Sequence, residues 1–137
     1  MPLYNTLSPP PALYQGDSFL VFKADALLVG QSSQQVTLPP NWSVGQAGIR
    51  VELDFNQNPG AYEIDVVESS ADQNGIAGYN GVPTGGAMTT VITGPNGAST
   101  RQTTDLIPVA GQFVALFVKT LPANGGTTYT ARITRVA

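Results

Sequence analysis

Four carboxylates on two short alternating runs hold most of the chemical potential of this 137-residue sequence. Glu52 and Asp54 lie in Ile49-Arg50-Val51-Glu52-Leu53-Asp54-Phe55, and Glu63 and Asp65 in Tyr62-Glu63-Ile64-Asp65-Val66. Both runs alternate apolar and polar residues, the period of a strand buried on one face. Asn56-Gln57-Asn58-Pro59-Gly60 between them is turn chemistry, so the pair reads as an antiparallel hairpin. With Phe55 opposite Tyr62 and Leu53 opposite Ile64, Asp54 faces Glu63 and Glu52 faces Asp65. That register puts four of the nine acidic residues on one exposed face. Like charges directly opposite destabilise a sheet. A hard cation such as calcium would offset the repulsion, as would a basic partner surface, or Arg50, Lys119, Arg132 or Arg135 on an adjacent strand. The favoured reading is a solvated acidic face, or a register that separates the charges; charges also protect an edge strand from unwanted pairing. No metal and no other cofactor is assigned. Paired carboxylates also raise glycoside hydrolysis. That chemistry needs an acid in an apolar cleft, and these carboxylates lie on the outer face, opposite the inward apolar residues.

Other chemistry is excluded by residue type. The chain has no Cys and no His. A thiol nucleophile, a Ser-His triad, a His general base and a thiolate or imidazole metal site are therefore impossible. There is no disulfide. The formal net charge is −3, which provides no basic field for nucleic acid. Glycines are plentiful, but neither a G-x-G-x-x-G nor a Walker motif occurs. The expectation is a non-enzymatic protein. Charged residues are only 11% while apolar residues are 42%, so the surface is built from neutral polar groups and turns. Such a surface suits packing against other proteins.

The elements that must position these residues are strands. Apolar or alternating runs occur at 18–23, 26–29, 35–38, 49–55, 62–66, 87–93, 100–107, 112–119 and 127–135, separated by Gly/Pro/Asn turns. Gln112 to Lys119 is apolar on both faces, as in a central strand covered on both sides. In the last run Tyr129, Ala131 and Ile133 face inward. Trp42, the only tryptophan, reads as a core anchor. No window carries a useful helical period. The expectation is all-β: one jelly-roll-like β-sandwich of about eight antiparallel strands over residues 17–137.

Residues 1–16 read as a separate Pro-rich extended arm. Its Leu3, Tyr4, Leu7, Leu13 and Tyr14 are more apolar than a linker needs, which favours contact with a neighbouring subunit over a strap across its own domain. Residues 71–86 carry five glycines and one proline. They read as a mobile or partner-ordered loop containing Tyr79. The N-terminus lacks the basic and apolar regions of a signal peptide. No stretch reaches the roughly 18 to 20 apolar residues of a membrane span. The expectation is assembly in a cytoplasm.

A Pro-rich arm followed by a small, low-charge, jelly-roll-like domain resembles the cement or decoration proteins of tailed-bacteriophage capsids. The resemblance implies a structural virion protein that stabilises the shell by bridging capsid subunits. It also implies a dimer or trimer whose partners are the major capsid protein or other virion proteins. Leu3, Tyr4, Leu7, Leu13, Tyr14 and Tyr79 are then the expected interface. The alternative is a carbohydrate-binding or adhesion β-sandwich module, calcium-dependent or not, with Tyr4, Tyr14, Tyr62, Tyr79, Tyr129 and Trp42 as available aromatics.

Overall fold

A computed structural model describes residues 9–25, 29, 32–40, 47–69, 86–94 and 100–137. The strands are β1 (Ser18–Asp25), β2 (Val36–Thr37), β3 (Ala47–Phe55), β4 (Tyr62–Ser69), β5 (Gly86–Gly94), β6 (Arg101–Thr103), β7 (Ile107–Val109), β8 (Phe113–Thr120) and β9 (Tyr129–Arg135). They form two antiparallel sheets packed as a sandwich. A five-stranded sheet has the order β1-β9-β3-β6, with β7 also paired to β3, and a four-stranded sheet has the order β2-β8-β4-β5. With β6 and β7 counted as one interrupted strand, the pairs are nested: β1 with β9, β2 with β8, β3 with β6 and β7, β4 with β5. That is a long hairpin rolled over on itself, the jelly-roll order.

Alternation decides what is buried. Ile49, Val51, Leu53 and Phe55 of β3 share one core with Tyr62, Ile64 and Val66 of β4 and Tyr129, Ala131 and Ile133 of β9. Three aromatic contacts link one end of this core, with ring centroids 4.9 Å apart for Phe55–Tyr62, 5.2 Å for Phe55–Tyr129 and 6.2 Å for Phe22–Tyr129. In β8 every residue from Val114 to Val118 is buried. Val114, Leu116 and Val118 join the main core, while Ala115 and Phe117 join Val67 in a second cluster on the other face. The run expected at 100–107 is broken into β6 and β7. The strand expected at 26–29 and Trp42 lie outside the described residues, apart from Val29.

The expected 49–66 hairpin does not form. β3 pairs with β9, β6 and β7, and β4 pairs with β5 and β8. The connection crosses from one sheet to the other because its turn bonds elsewhere. The Asn58 carboxamide oxygen accepts from Gly60 N–H, and Gly60 takes φ +69°, a conformation glycine tolerates. The backbone of Pro59 and Ala61 accepts from Asn124 and Ala123, and the side chains of Asn56 and Gln57 bond the 125–128 backbone. Two loops thus clasp each other at one end of the sandwich.

The described part of the N-terminal segment, residues 9–16, lies on its own domain. Leu13 N–H donates to the Thr37 carbonyl and Thr37 N–H to the Pro11 carbonyl, a parallel addition to β2. Gly16 N–H then donates to the Arg135 carbonyl on β9. The segment therefore straps the β2 edge of one sheet to the β1–β9 edge of the other. Leu13, expected at a partner interface, is 3% exposed in the core. The reason is its backbone pairing, which places its side chain between the layers. Arg135 fixes the strap. Its guanidinium is buried and donates to the carbonyls of Leu13 (2.9 Å), Pro39 (2.6 Å) and Ala137 (2.9 Å). Leu13→Ala should lower the unfolding free energy by about 2–5 kcal/mol, the range for a truncated core leucine. Urea unfolding of the isolated chain checks it; an unchanged midpoint would mean that the segment contributes nothing to its own domain.

Candidate functional site

The acidic face predicted from the hairpin is divided between opposite sides of the sandwich. Glu52 and Asp54 lie on the β1-β9-β3-β6 sheet, and Glu63 and Asp65 on the other. In register, Glu52 stands between Thr103 and Arg132, and Asp54 between Arg101 and Thr130. The Arg101 Nε donates to Asp54 Oδ1 at 2.7 Å. Both side chains are well exposed, so the pair adds little stability. Internal basic residues therefore balance this side, with Arg132 among those anticipated and Arg101 missed. Among the described residues no group of three or more His, Cys, Asp or Glu could hold a metal ion.

Asp65 is different. It is 3% exposed, and its Oδ1 has no hydrogen-bond partner. The register places it beside Phe117 of β8, and Ser32 bridges Phe117 from the β2 side. The Ser32 hydroxyl is likewise buried without a partner. Burial is the main cause that lifts the Asp65 pKa to about 6. A hydrogen bond with Glu63 and the Glu63 charge add to the rise, and Lys119 opposes it. Neither β5 nor β2 brings an ionisable residue to this site.

The second feature is an open cleft of about 450 Å³ between β5 of one sheet and the β6–β7 segment of the other. Gln102, one of its lining residues, takes part in a contact across the sandwich. Tyr62 O–H on β4 donates to Oε1 of Gln102 on β6. Tyr62 faces Gly94 on β5, where any Cβ would collide with the Tyr62 ring. Glycine at 94 thus lets the ring lie against β5 and hold its hydroxyl on Gln102. Burial raises the Tyr62 pKa, so the phenol stays protonated and remains a donor. Ile92, Thr93, Thr103, Asp105 and Leu106 are among the residues that line the cleft with Gln102. Sequence reasoning missed this site. Gln102 and Leu106 fall in the run read as one strand over 100–107, and nothing in that run marks them as lining a cleft.

Of the expected partner contacts, Leu13 is in the core and Tyr14 is 61% exposed beside the strap turn. Leu3, Tyr4, Leu7 and Tyr79 lie outside the described residues. Tyr62 and Tyr129 are buried and offer no exposed aromatic platform. Among the described residues no helix is long and apolar enough to cross a membrane. Comparisons with protein-family models, curated proteins and solved structures find no match to this chain.

Two outcomes follow from this geometry. The folded pKa of Asp65, about 6, lies above its ordinary 3.8. As pH rises, the unfolded chain loses this proton first, so stability falls through the window between those values and levels off above it. The Asp65→Asn protein should be more stable at neutral pH by about 1–3 kcal/mol, with a flatter profile across that window. Urea midpoints measured at stepped pH give both readings; an Asn variant that keeps the slope would place the titration elsewhere. Tyr62→Phe removes the donor to Gln102 and should cost about 1 kcal/mol, measured in the same way.

Proposed function

We propose that this chain is a non-enzymatic structural protein of a virion, a decoration subunit that binds a phage capsid shell and stabilises it by bridging capsid subunits. The observation that carries the reading is the nested strand order, which is the jelly-roll arrangement. Viral shell proteins use this architecture repeatedly. Two further observations support it. The sequence has no His and no Cys, so a Ser-His triad, a thiol nucleophile and an imidazole metal site cannot be built from it. The charged groups described on the β3 face are balanced in register, as at Glu52–Arg132 and Asp54–Arg101, so many identical copies can sit close together without strong repulsion.

Shell reinforcement needs area rather than catalysis. Repeated weak contacts multiply when subunits bridge neighbouring sites. The major capsid protein or another virion protein is the partner, and the working form is a dimer or trimer.

The test is to purify particles released by cells that carry the gene, band them on a density gradient and identify their proteins by mass spectrometry. The chain should co-sediment with the shell in many copies per particle. Particles that lack it, while it remains in the soluble fraction, would reject the reading.

A further inference from the structure

We propose that the open cleft between β5 and the β6–β7 segment binds an uncharged sugar residue. This goes beyond the shell-binding role and rests on separate residues. The two sides of the sandwich are unlike. The strap, Leu13 and Arg135 close one side. On the other, β5 and β6–β7 stand apart and leave about 450 Å³ of open volume. That lies within the ordinary range of small-molecule sites.

The lining selects the ligand class. Gln102 is half-buried, and its Oε1 is occupied by the Tyr62 hydroxyl. Tyr62 therefore fixes which way the carboxamide points and leaves its two N–H donors for a ligand. Asp105 is exposed at the same cleft and supplies a carboxylate, an acceptor only. A donor amide beside an acceptor carboxylate suits groups that accept and donate together. Sugar hydroxyls are such groups. Thr93 and Thr103 add hydroxyls that do either. Leu106 is 49% exposed and offers an aliphatic wall for the C–H face of a sugar ring. Its place is set by Gly48, where a Cβ would lie 2.7 Å from Leu106 Cδ1. Among the described residues no lysine or arginine lines the cleft, so a phosphate or a carboxylate ligand would find no counter-charge there. Among the described residues a metal ion would find a single carboxylate there.

The experiment uses the full-length, isotope-labelled chain titrated with four probes: methyl glucoside, methyl galactoside, methyl mannoside and N-acetylglucosamine. Amide shifts are followed by NMR. Saturable shifts confined to residues 92–94 and 102–107 are expected with at least one probe. Asp105→Asn should weaken that binding by about tenfold, the loss of one hydrogen bond to a charged group. Leu106→Ala should weaken it several-fold. Both residues are exposed, so the thermal transition serves as the control for folding. The proposal is overturned if none of the four probes gives saturable shifts. It is also overturned if the shifts map away from the cleft, or if the Asp105 and Leu106 variants bind as the parent does.

Discussion

One buried cation holds the closed side of this molecule together. Arg135 sits at the inward position that follows Tyr129, Ala131 and Ile133 along β9, where a fourth apolar residue would continue the pattern. Its guanidinium instead reaches three carbonyls, those of Leu13, Pro39 and Ala137. Burying a charge costs several kcal/mol. Three hydrogen bonds to a charged donor offset that cost in a way that one ion pair at the surface would not. The fork geometry matters as well. A single planar group joins the strap, the segment after β2 and the chain beyond β9, which come from three distant parts of the sequence. Lysine has neither the reach nor the fixed directions to do this.

The closed side accounts for the open one. The strap fills the gap between the layers at the β1–β2 side with Leu13, so the sheets are clamped there. At the far side the layers are joined by smaller means: Tyr62 donates to Gln102 across the sandwich, while Thr104 exchanges hydrogen bonds with Val51 within its own sheet. Those bonds hold β6 to its neighbours but do not fill the space in front of them. The cleft is what remains when short, interrupted strands face a long one. It is lined by polar side chains because residues at a sandwich edge still meet water.

Much of the fold was legible in the sequence, and the reason is periodicity. Alternation in 49–55, 62–66 and 129–135 identified which residues enter the core, and the doubly apolar run at 113–118 identified the strand buried on both faces. What alternation leaves out is the neighbour. Ile49 to Phe55 and Tyr62 to Val66 do meet, but across the core as opposite layers rather than side by side in one sheet. The error came from reading Asn56-Gln57-Asn58-Pro59-Gly60 as a hairpin turn. Apart from the local bond between Asn58 and Gly60, it is bonded to residues 123–128, some seventy positions later, and nothing local in the sequence indicates that partner. The acidic face was lost with the hairpin. Two of its members were returned to a balanced surface, and one, Asp65, was moved to a buried position. Alternation alone placed Asp65 outward, and outward proved not to mean wet, because this face of the sheet carries its own apolar cluster around Phe117.

The position of Asp65 bears on function as much as on stability. A carboxylate beside Glu63, with one oxygen unpartnered and a pKa near 6, costs the fold most in the neutral range where the protein would have to persist. Replacing it with a neutral residue is a short evolutionary step, so the charge is unexplained by the economy of the isolated domain. A protein whose stability matters chiefly in an assembly can tolerate such a residue, since binding to a large partner adds stability that the free chain lacks. The same reasoning fits the rest of the molecule. The strap anchors its own domain, the charges on the β3 face cancel locally, and the carboxylate pair is held on the opposite sheet from them. The proposed decoration role would draw stability from contact with a shell, and would ask of the free domain only that it fold and present its faces.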